Sequence, residues 1–159
     1  MEPLSPLSEL RRIREGGDGF RAALEYLNKR VPHRYTVVYR FDGESFCGMV
    51  VVDKLMEPAP ILFRRVPFRD SFCQYTIGDG EFRTASSIED QRLDGHIHQA
   101  NVQSYTGLPL TDSKGHLYGT FCHLDLVPQR LPDIEFAFLQ TAVGLLGGFL
   151  PAESELTAA

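Results

Sequence analysis

The stretch SYTGLPLTDSKGHLYGTFCHLD, residues 104–125, decides the fold class of this chain of 159 residues. Most of this stretch belongs to two runs, 102–110 and 117–124, that are rich in β-branched and aromatic residues, a composition typical of strands. Between the runs, residues 111–115 supply the Asp, Ser and Gly that tolerate tight turns and positive φ angles. The stretch therefore predicts an antiparallel hairpin.

A second hairpin is predicted earlier in the chain. The runs 34–41 and 45–52 have the same strand-like composition, and they flank Asp42-Gly43, a dipeptide typical of tight hairpin turns. Residues 53–81 are the least periodic part of the chain, and we expect a loop with a short helix there. Residues 82–86 are a candidate third strand, and residues 87–101 show no clear apolar stripe.

Helical patterns stand at both ends of the chain. Ser5-Pro6 is typical of a helix start, which predicts a short first helix. Asp18 is a candidate cap for a second helix, whose apolar residues recur at helical spacing until Pro32. Pro132, taken as the first helical residue, predicts a final helix that reaches about residue 150.

This order of elements predicts an α+β fold. We expect a central antiparallel sheet of five or six strands, with the N- and C-terminal helices on one face and the irregular segments 53–81 and 87–101 on the other. We divide the chain into an N-terminal helical extension (1–17), one main domain (18–151) and a C-terminal tail (152–159).

Composition narrows the classes of function. The net charge is −5 and the sequence contains no basic stripe, so we expect no nucleic-acid partner. The longest strongly apolar stretch, 136–150, is too short and too polar to span a bilayer, so we expect no membrane partner. The first residues lack a basic segment before an apolar core, which favours a cytoplasmic protein.

The cysteines and histidines form no recognisable reactive or metal-binding motif. Cys47, Cys73 and Cys122 are odd in number and widely spaced, which favours reduced and inert thiols. The five histidines could bind a metal, but no Cys or carboxylate completes a known ligand spacing. The sequence also lacks a Gly-rich phosphate-binding motif, and it names no cofactor.

One family likeness covers most of the chain. The segments DSFCQYTI (70–77), SYTGLPLTDSKGHLYGTFCHLD and LPDIEFAFLQTAVGLL (131–146) resemble successive parts of the GAF domain family. The helix and hairpin that precede them also fall where that family has them. The resemblance implies a sensory or regulatory domain that binds a small molecule and dimerises.

The resemblance also implies where a ligand would bind. In a strand, alternate side chains face opposite sides of the sheet. The face that carries Tyr105 and Cys122 would line the ligand cavity, and the irregular middle of the chain, in which His96 is a further lid candidate, would close over it. The candidate ligand-binding residues are Phe72, Cys73, Tyr75, His98, Tyr105, Thr120 and Cys122. Each of them could instead be an ordinary core or loop residue.

Three GAF subtypes fit the sequence less well. Free-methionine sulfoxide reductases have a reactive cysteine where this chain has His98-Gln99-Ala100, and acidic pocket residues where it has Tyr105, Cys122 and Leu124. The cyclic-nucleotide pattern of other GAF domains is matched poorly by residues 88–92. The early signatures of bilin-binding phytochromes are absent from the sequence.

Two functions of different classes therefore stay open. The first is a non-catalytic sensory domain, in bacterial signal transduction, that binds a small ligand, forms a homodimer through its terminal helices and acts on a separate signalling output protein. The second is a small enzyme of the free-methionine sulfoxide reductase type that uses Cys73 or Cys122. A thiol-blocking reagent separates them, because it abolishes only the turnover of an enzyme.

Overall fold

A computed structural model describes residues 5–16 and 19–150 of the chain. The described residues form four α-helices and six β-strands. In chain order these are α1 (Pro6–Arg14), α2 (Gly19–Lys29), β1 (Tyr35–Phe41), β2 (Ser45–Asp53), β3 (Arg65–Pro67), α3 (Cys73–Asp79), β4 (Phe82–Thr84), β5 (Ser104–Thr111), β6 (Leu117–Asp125) and α4 (Asp133–Leu146).

The six strands form one sheet in the order β3-β2-β1-β6-β5-β4, and every neighbouring pair is antiparallel. The two predicted hairpins lie side by side because β1 pairs with β6, with Val37 opposite Cys122. The short strands β3 and β4 pair at the two edges. The predicted fold class is confirmed.

One face of the sheet packs against the terminal helices; we call it the helix side. Its strand residues include Val38 and Phe121, which are fully buried. Leu24 of α2 and Leu139 of α4 belong to the same apolar core, as does Leu10 of α1. An ion pair joins the residue after α2 to α4 at the rim, where the Arg30 guanidinium donates to both carboxylate oxygens of Glu135 at 2.7 and 2.9 Å.

The irregular segments cover the opposite face, which we call the cavity side. Its core consists mainly of aromatic rings, among them Tyr39, Phe46, Phe72 and Tyr105. Three short 3-10 turns, Ile61–Phe63, Phe68–Asp70 and Gln91–Leu93, punctuate the covering segments. The helix α3 also packs on this side.

Local chemistry explains the element ends. The Ser5 side chain accepts a hydrogen bond from the Ser8 amide at 3.2 Å, so the predicted N-cap of α1 is confirmed. Gly43 and Gly115, with φ angles of +97° and +82°, close the two hairpins in a region that favours glycine. The Asp18 cap and the tail 152–159 lie outside the described residues.

Some predicted bounds were wrong. Pro132 caps α4 from outside instead of forming its first turn, and the helix ends at Leu146. The strand β3 was not predicted, because three residues are too few to show alternation. In the part of the chain that the structure describes, none of the helices is long and apolar enough to cross a membrane.

Candidate functional site

A cavity of about 40 Å³ lies between the cavity side of the sheet and the segments that cover it. The strands supply its floor, and the covering segments supply its roof. At roughly 10–15 Å³ for each water, the cavity has room for about three waters. Its lining residues are Tyr39, Phe46, Leu62, Phe63, Val66, Asp70, Ser71, Phe72, His98, Val102, Tyr105 and Leu124.

The lining is largely apolar, with polar groups supplied by Asp70, Ser71 and His98. The Nδ1 atom of His98 is buried and has no hydrogen-bond partner. An unpartnered buried nitrogen is costly, so a molecule that hydrogen-bonds to it in the cavity would gain binding free energy. This balance of many apolar and few polar groups is typical of small-molecule sites.

His96 joins the two covering segments. Its Nδ1 atom accepts a hydrogen bond from the backbone amide of His98 at 3.0 Å. The other ring nitrogen therefore carries the proton, and it donates to the Ser71 carbonyl at 3.3 Å. Burial lowers the pKa of His96 from its usual value, which favours this neutral form. The segment 87–103 is thereby attached to the segment that contains residues 61–71.

The base of the second covering segment is closed by hydrogen bonds. The Ser87 hydroxyl donates to the Gln99 carbonyl at 2.5 Å, and the Gln99 side chain donates to the Ser87 carbonyl at 3.1 Å. The Ser87 amide also bonds the Gln103 carbonyl at 2.8 Å. These hydrogen bonds hold the two ends of the loop between Ser87 and Gln99 together.

A cluster of thiols and hydroxyls lies behind the cavity. Tyr105 lies between the cavity and this cluster. Its ring lines the cavity, and its hydroxyl donates to the Cys73 sulfur at 3.3 Å. The Thr120 hydroxyl donates to the same sulfur at 3.2 Å. Thr76 bonds the Tyr105 hydroxyl at 3.0 Å. These contacts attach α3 to β5 and β6.

The two thiols of this cluster differ in their environment. Burial alone would raise the pKa of Cys73, but hydrogen bonds from Cys122, Thr120 and Tyr105 outweigh burial and lower it. Burial raises the pKa of Cys122 well above its usual range, and the neighbouring Cys73 raises it further. Cys73 is therefore the thiol that ionises first.

The fold and this cavity can be compared with known proteins. No family model matches the sequence. The structure is similar to the GAF domain of an Acinetobacter phosphoenolpyruvate-protein phosphotransferase, with a TM-score of 0.68, 13% identity and coverage of 92% of each chain. The chain has the GAF-domain fold. The family likeness of the sequence is thereby confirmed at the level of the fold.

Two further proteins that are similar to this GAF-like chain are named as enzymes. One is a free methionine-R-sulfoxide reductase from Neisseria meningitidis, solved with its substrate, with a TM-score of 0.65, 15% identity and coverage of 89% of this chain and 83% of that one. The other is a cyclic di-GMP phosphodiesterase of Pseudomonas aeruginosa, 34% identical over 70 residues. That match covers 42% of this chain and 12% of the relative's length.

The predicted site residues of the GAF-like chain fall into three places. Phe72, His98 and Tyr105 line the cavity. Cys73, Cys122 and Thr120 lie behind Tyr105, outside the lining. Tyr75 is half-buried and packs against Phe82 and His96, with ring centroids 5.0 and 6.2 Å away.

Several lining residues were not predicted. Tyr39 and Phe46 could have been found from the alternation of the first hairpin, since Tyr39 lies opposite Thr120 in the sheet. Asp70 and Ser71 come from a segment whose sequence shows no periodicity. Among the described residues, no group of three or more His, Cys, Asp or Glu could hold a metal ion.

Proposed function

We propose that this chain is a sensory or regulatory domain that binds a small ligand in the cavity and acts on a separate signalling output protein in the cytoplasm. The observation that carries the proposal is the cavity itself, which is largely apolar and is lined by His98, whose buried Nδ1 atom has no hydrogen-bond partner. The GAF-domain fold supports it, and in this chain the cavity lies between the sheet and the irregular segments.

A ligand of metabolite size requires the cavity to open. The present cavity of about 40 Å³ holds about three waters. This volume is far below the roughly 300–1,000 Å³ of sites that bind drug-sized ligands. The covering segments are the parts that can move, because outside the three-residue strand β3 they do not pair continuously with the sheet. Opening would separate His96 from Ser71 and expose His98 to the ligand.

Native mass spectrometry can test this function. We expect the protein, incubated with a cell extract from its source, to retain a small molecule that denaturation releases. Val66 is half-buried and lines the cavity, so Val66→Phe fills the cavity and should abolish retention. Val50, which is half-buried against the helix-side core, supplies the matched control Val50→Phe, which should retain the molecule.

Two results would contradict the proposal. The wild-type protein could emerge from the extract with the mass of the bare chain. Alternatively, Val66→Phe could retain the same molecule as the wild type, which would place the binding site elsewhere.

We further propose that the domain forms a homodimer through α1 and α4. No charged residue occurs in α4 after Glu135, although a helix surface that faces water ordinarily carries charges. Its exposed positions include Ile134, Ala137, Thr141 and Gly144, which follow one another at helical spacing. A second copy related by two-fold symmetry would cover this surface with the same surface of its own.

Light scattering over a range of concentrations tests the dimer. Ile134 is 83% exposed, so Ile134→Lys should leave a folded monomer. Ile61 is 78% exposed and lies among the segments of the cavity side, so Ile61→Lys is the matched control and should stay dimeric. A wild-type protein that keeps the monomer mass up to high micromolar concentration would contradict the dimer.

An enzyme of the free-methionine sulfoxide reductase type is the second candidate. The shared fold with the Neisseria reductase and the lowered pKa of Cys73 favour it. The burial of both thiols behind Tyr105, and the absence of a cysteine at residues 98–100, oppose it. A turnover assay with free methionine sulfoxide decides between the two functions, since activity that a thiol-blocking reagent abolishes would establish the enzyme.

A further inference from the structure

The buried thiol cluster contains two neighbouring cysteines that the sensory function does not use. Cys73 and Cys122 are 3% and 0% exposed and belong to the same buried core, and Cys122 lies two residues beyond Thr120, whose hydroxyl bonds the Cys73 sulfur. Buried cysteines are usually single and behave as small apolar residues. Here the Cys73 sulfur also accepts from two hydroxyl groups, which is an unusual environment for an inert core thiol.

The donors around Cys73 favour its thiolate. The hydroxyls of Tyr105 and Thr120 approach one sulfur from β5 and β6. Hydrogen bonds to the charged form stabilise it, and the thiolate is the form that reacts as a nucleophile. Cys122 keeps its proton, so the two thiols are a nucleophile and a neighbouring partner.

The cavity limits the size of an oxidant that can reach Cys73 and supplies its route. The closed cavity of about 40 Å³ accommodates a molecule of two or three heavy atoms such as hydrogen peroxide, whereas a metabolite requires the cover to open. Tyr105 connects the cavity to the Cys73 sulfur, since it lines the cavity and its hydroxyl bonds that sulfur, and Phe72, the residue before Cys73, also lines the cavity. A rotation of the Tyr105 ring would open the path to the sulfur.

We propose that Cys73 and Cys122 form a redox pair that hydrogen peroxide, entering through the cavity, converts into an intrachain disulfide. The Cys73 thiolate attacks one peroxide oxygen, the O–O bond breaks, and the leaving hydroxide takes the proton that Cys73 released, giving water and a sulfenic acid. The Cys122 sulfur then attacks the Cys73 sulfur. The S–O bond breaks, and the hydroxide leaves as a second water with the Cys122 proton.

The electrons of this sequence balance. Two thiols lose two electrons in forming the S–S bond, and one peroxide gains two electrons in forming two waters. The disulfide removes the sulfur acceptor that the Tyr105 and Thr120 hydroxyls use in the reduced protein. Oxidation would therefore release Tyr105, whose ring is part of the cavity wall, and so change the shape of the ligand site.

Peptide mapping after a short exposure of the reduced protein to hydrogen peroxide tests this pair. Trypsin places Cys73 in residues 70–83, Cys122 in residues 115–130 and Cys47 in residues 41–54. We expect the first two peptides to appear linked, with the loss of two hydrogens. Cys47 is a stringent comparison, because it is less buried and its sulfur lies 3.4 Å from the Arg65 guanidinium.

Variants separate the two steps. Cys122→Ser should stop the reaction at a sulfenic acid on Cys73, which a dimedone label detects, and Cys73→Ser should leave Cys122 reduced. Thr120→Val removes one donor without loosening Tyr105 and should slow the oxidation of Cys73. Cys47→Ser is the matched control and should form the linked peptides at the wild-type rate.

The outcome in the wild-type protein decides the proposal even if a variant fails to fold. Linked peptides that form about tenfold faster than oxidation of Cys47 would establish the pair. Oxidation of Cys47 while Cys73 and Cys122 stay reduced would overturn it. The ligand-binding proposal would survive that result, because it does not depend on either thiol.

Discussion

The two faces of the sheet are covered by different kinds of structure and by different kinds of side chain. The helix side buries aliphatic residues of regular helices against Val38 and Phe121. The cavity side buries aromatic rings from irregular segments and leaves a gap beside Tyr105. Regular helices make continuous backbone hydrogen bonds, whereas the irregular segments combine isolated backbone turns with side-chain bonds such as that of His96. The difference indicates a permanent core on one side and a cover that can open on the other.

The polar groups buried on each side show the same contrast. On the helix side, the Thr36 hydroxyl contacts His123 at 2.7 Å, and His123 stacks on His33 with ring centroids 6.0 Å apart. On the cavity side, hydroxyls of Tyr105 and Thr120 bond a thiol. We expect the buried imidazoles to make the helix side sensitive to acid, and the buried thiols to make the cavity side sensitive to oxidation.

Truncation of one large side chain on each side should show the largest effect. Phe121→Ala removes a fully buried ring from the helix side and should lower the free energy of unfolding by about 3–5 kcal/mol. Phe68→Ala removes a ring from the cover that is 38% exposed, and should cost well under half as much. Urea denaturation measures both values, and equal losses would show that the cover is as firmly packed as the core.

Acid should destabilise the helix side next. Burial, partly offset by the Asp125 carboxylate, lowers the pKa of His33 from 6.5 to about 4. Between these values the unfolded chain binds more protons than the folded one, so stability is complete above pH 6.5 and falls as the pH drops toward 4. The difference corresponds to about 3 kcal/mol.

The variant His33→Leu tests this contribution, because it removes this imidazole and keeps the other titratable groups of the protein. Denaturation curves between pH 7 and 4 should show a smaller loss of stability in the variant than in the wild type. Identical losses would mean that His33 is already protonated in the folded protein.

A smaller effect is expected where glycine permits the contact between α3 and the sheet. A Cβ atom at Gly107 would lie 2.4 Å from the Tyr105 hydroxyl and 2.6 Å from the Thr76 hydroxyl. Gly107→Ala should therefore break this contact and cost about 1–3 kcal/mol. A Cβ atom at Gly78 of α3 meets nothing within 4 Å, so Gly78→Ala should instead stabilise the protein by about 0.5–1 kcal/mol. Thermal unfolding gives both signs, and a neutral Gly107→Ala would argue against a rigid contact.

The sequence predicts the helix side better than the cavity side for a physical reason. Hairpin turns at Gly43 and Gly115 and the cap at Ser5 are local signals, and the apolar spacing of α2 depends only on its own residues. The cavity depends on contacts between distant parts of the chain. Tyr105 meets Thr76 only because Gly107 leaves room, and no local pattern reports that approach.

The site residues follow the same rule. Alternation along β5 and β6 correctly groups Tyr105 with Cys122, because strand faces are a local property. Whether a residue on that face lines the cavity or lies behind another side chain depends on the cover. Cys73 and Thr120 therefore turned out to lie behind Tyr105, while Asp70 lines the cavity from a segment without periodicity.

Hydrogen exchange of the unliganded protein tests the central contrast between the two sides most directly. If the cover opens while the helix side stays folded, the amides of residues 61–72 and 87–103 exchange on the order of 100-fold faster than the amides of β1, β6 and α4. Exchange at one common rate in all these segments would mean that the cover opens only when the whole domain unfolds, and it would contradict the account.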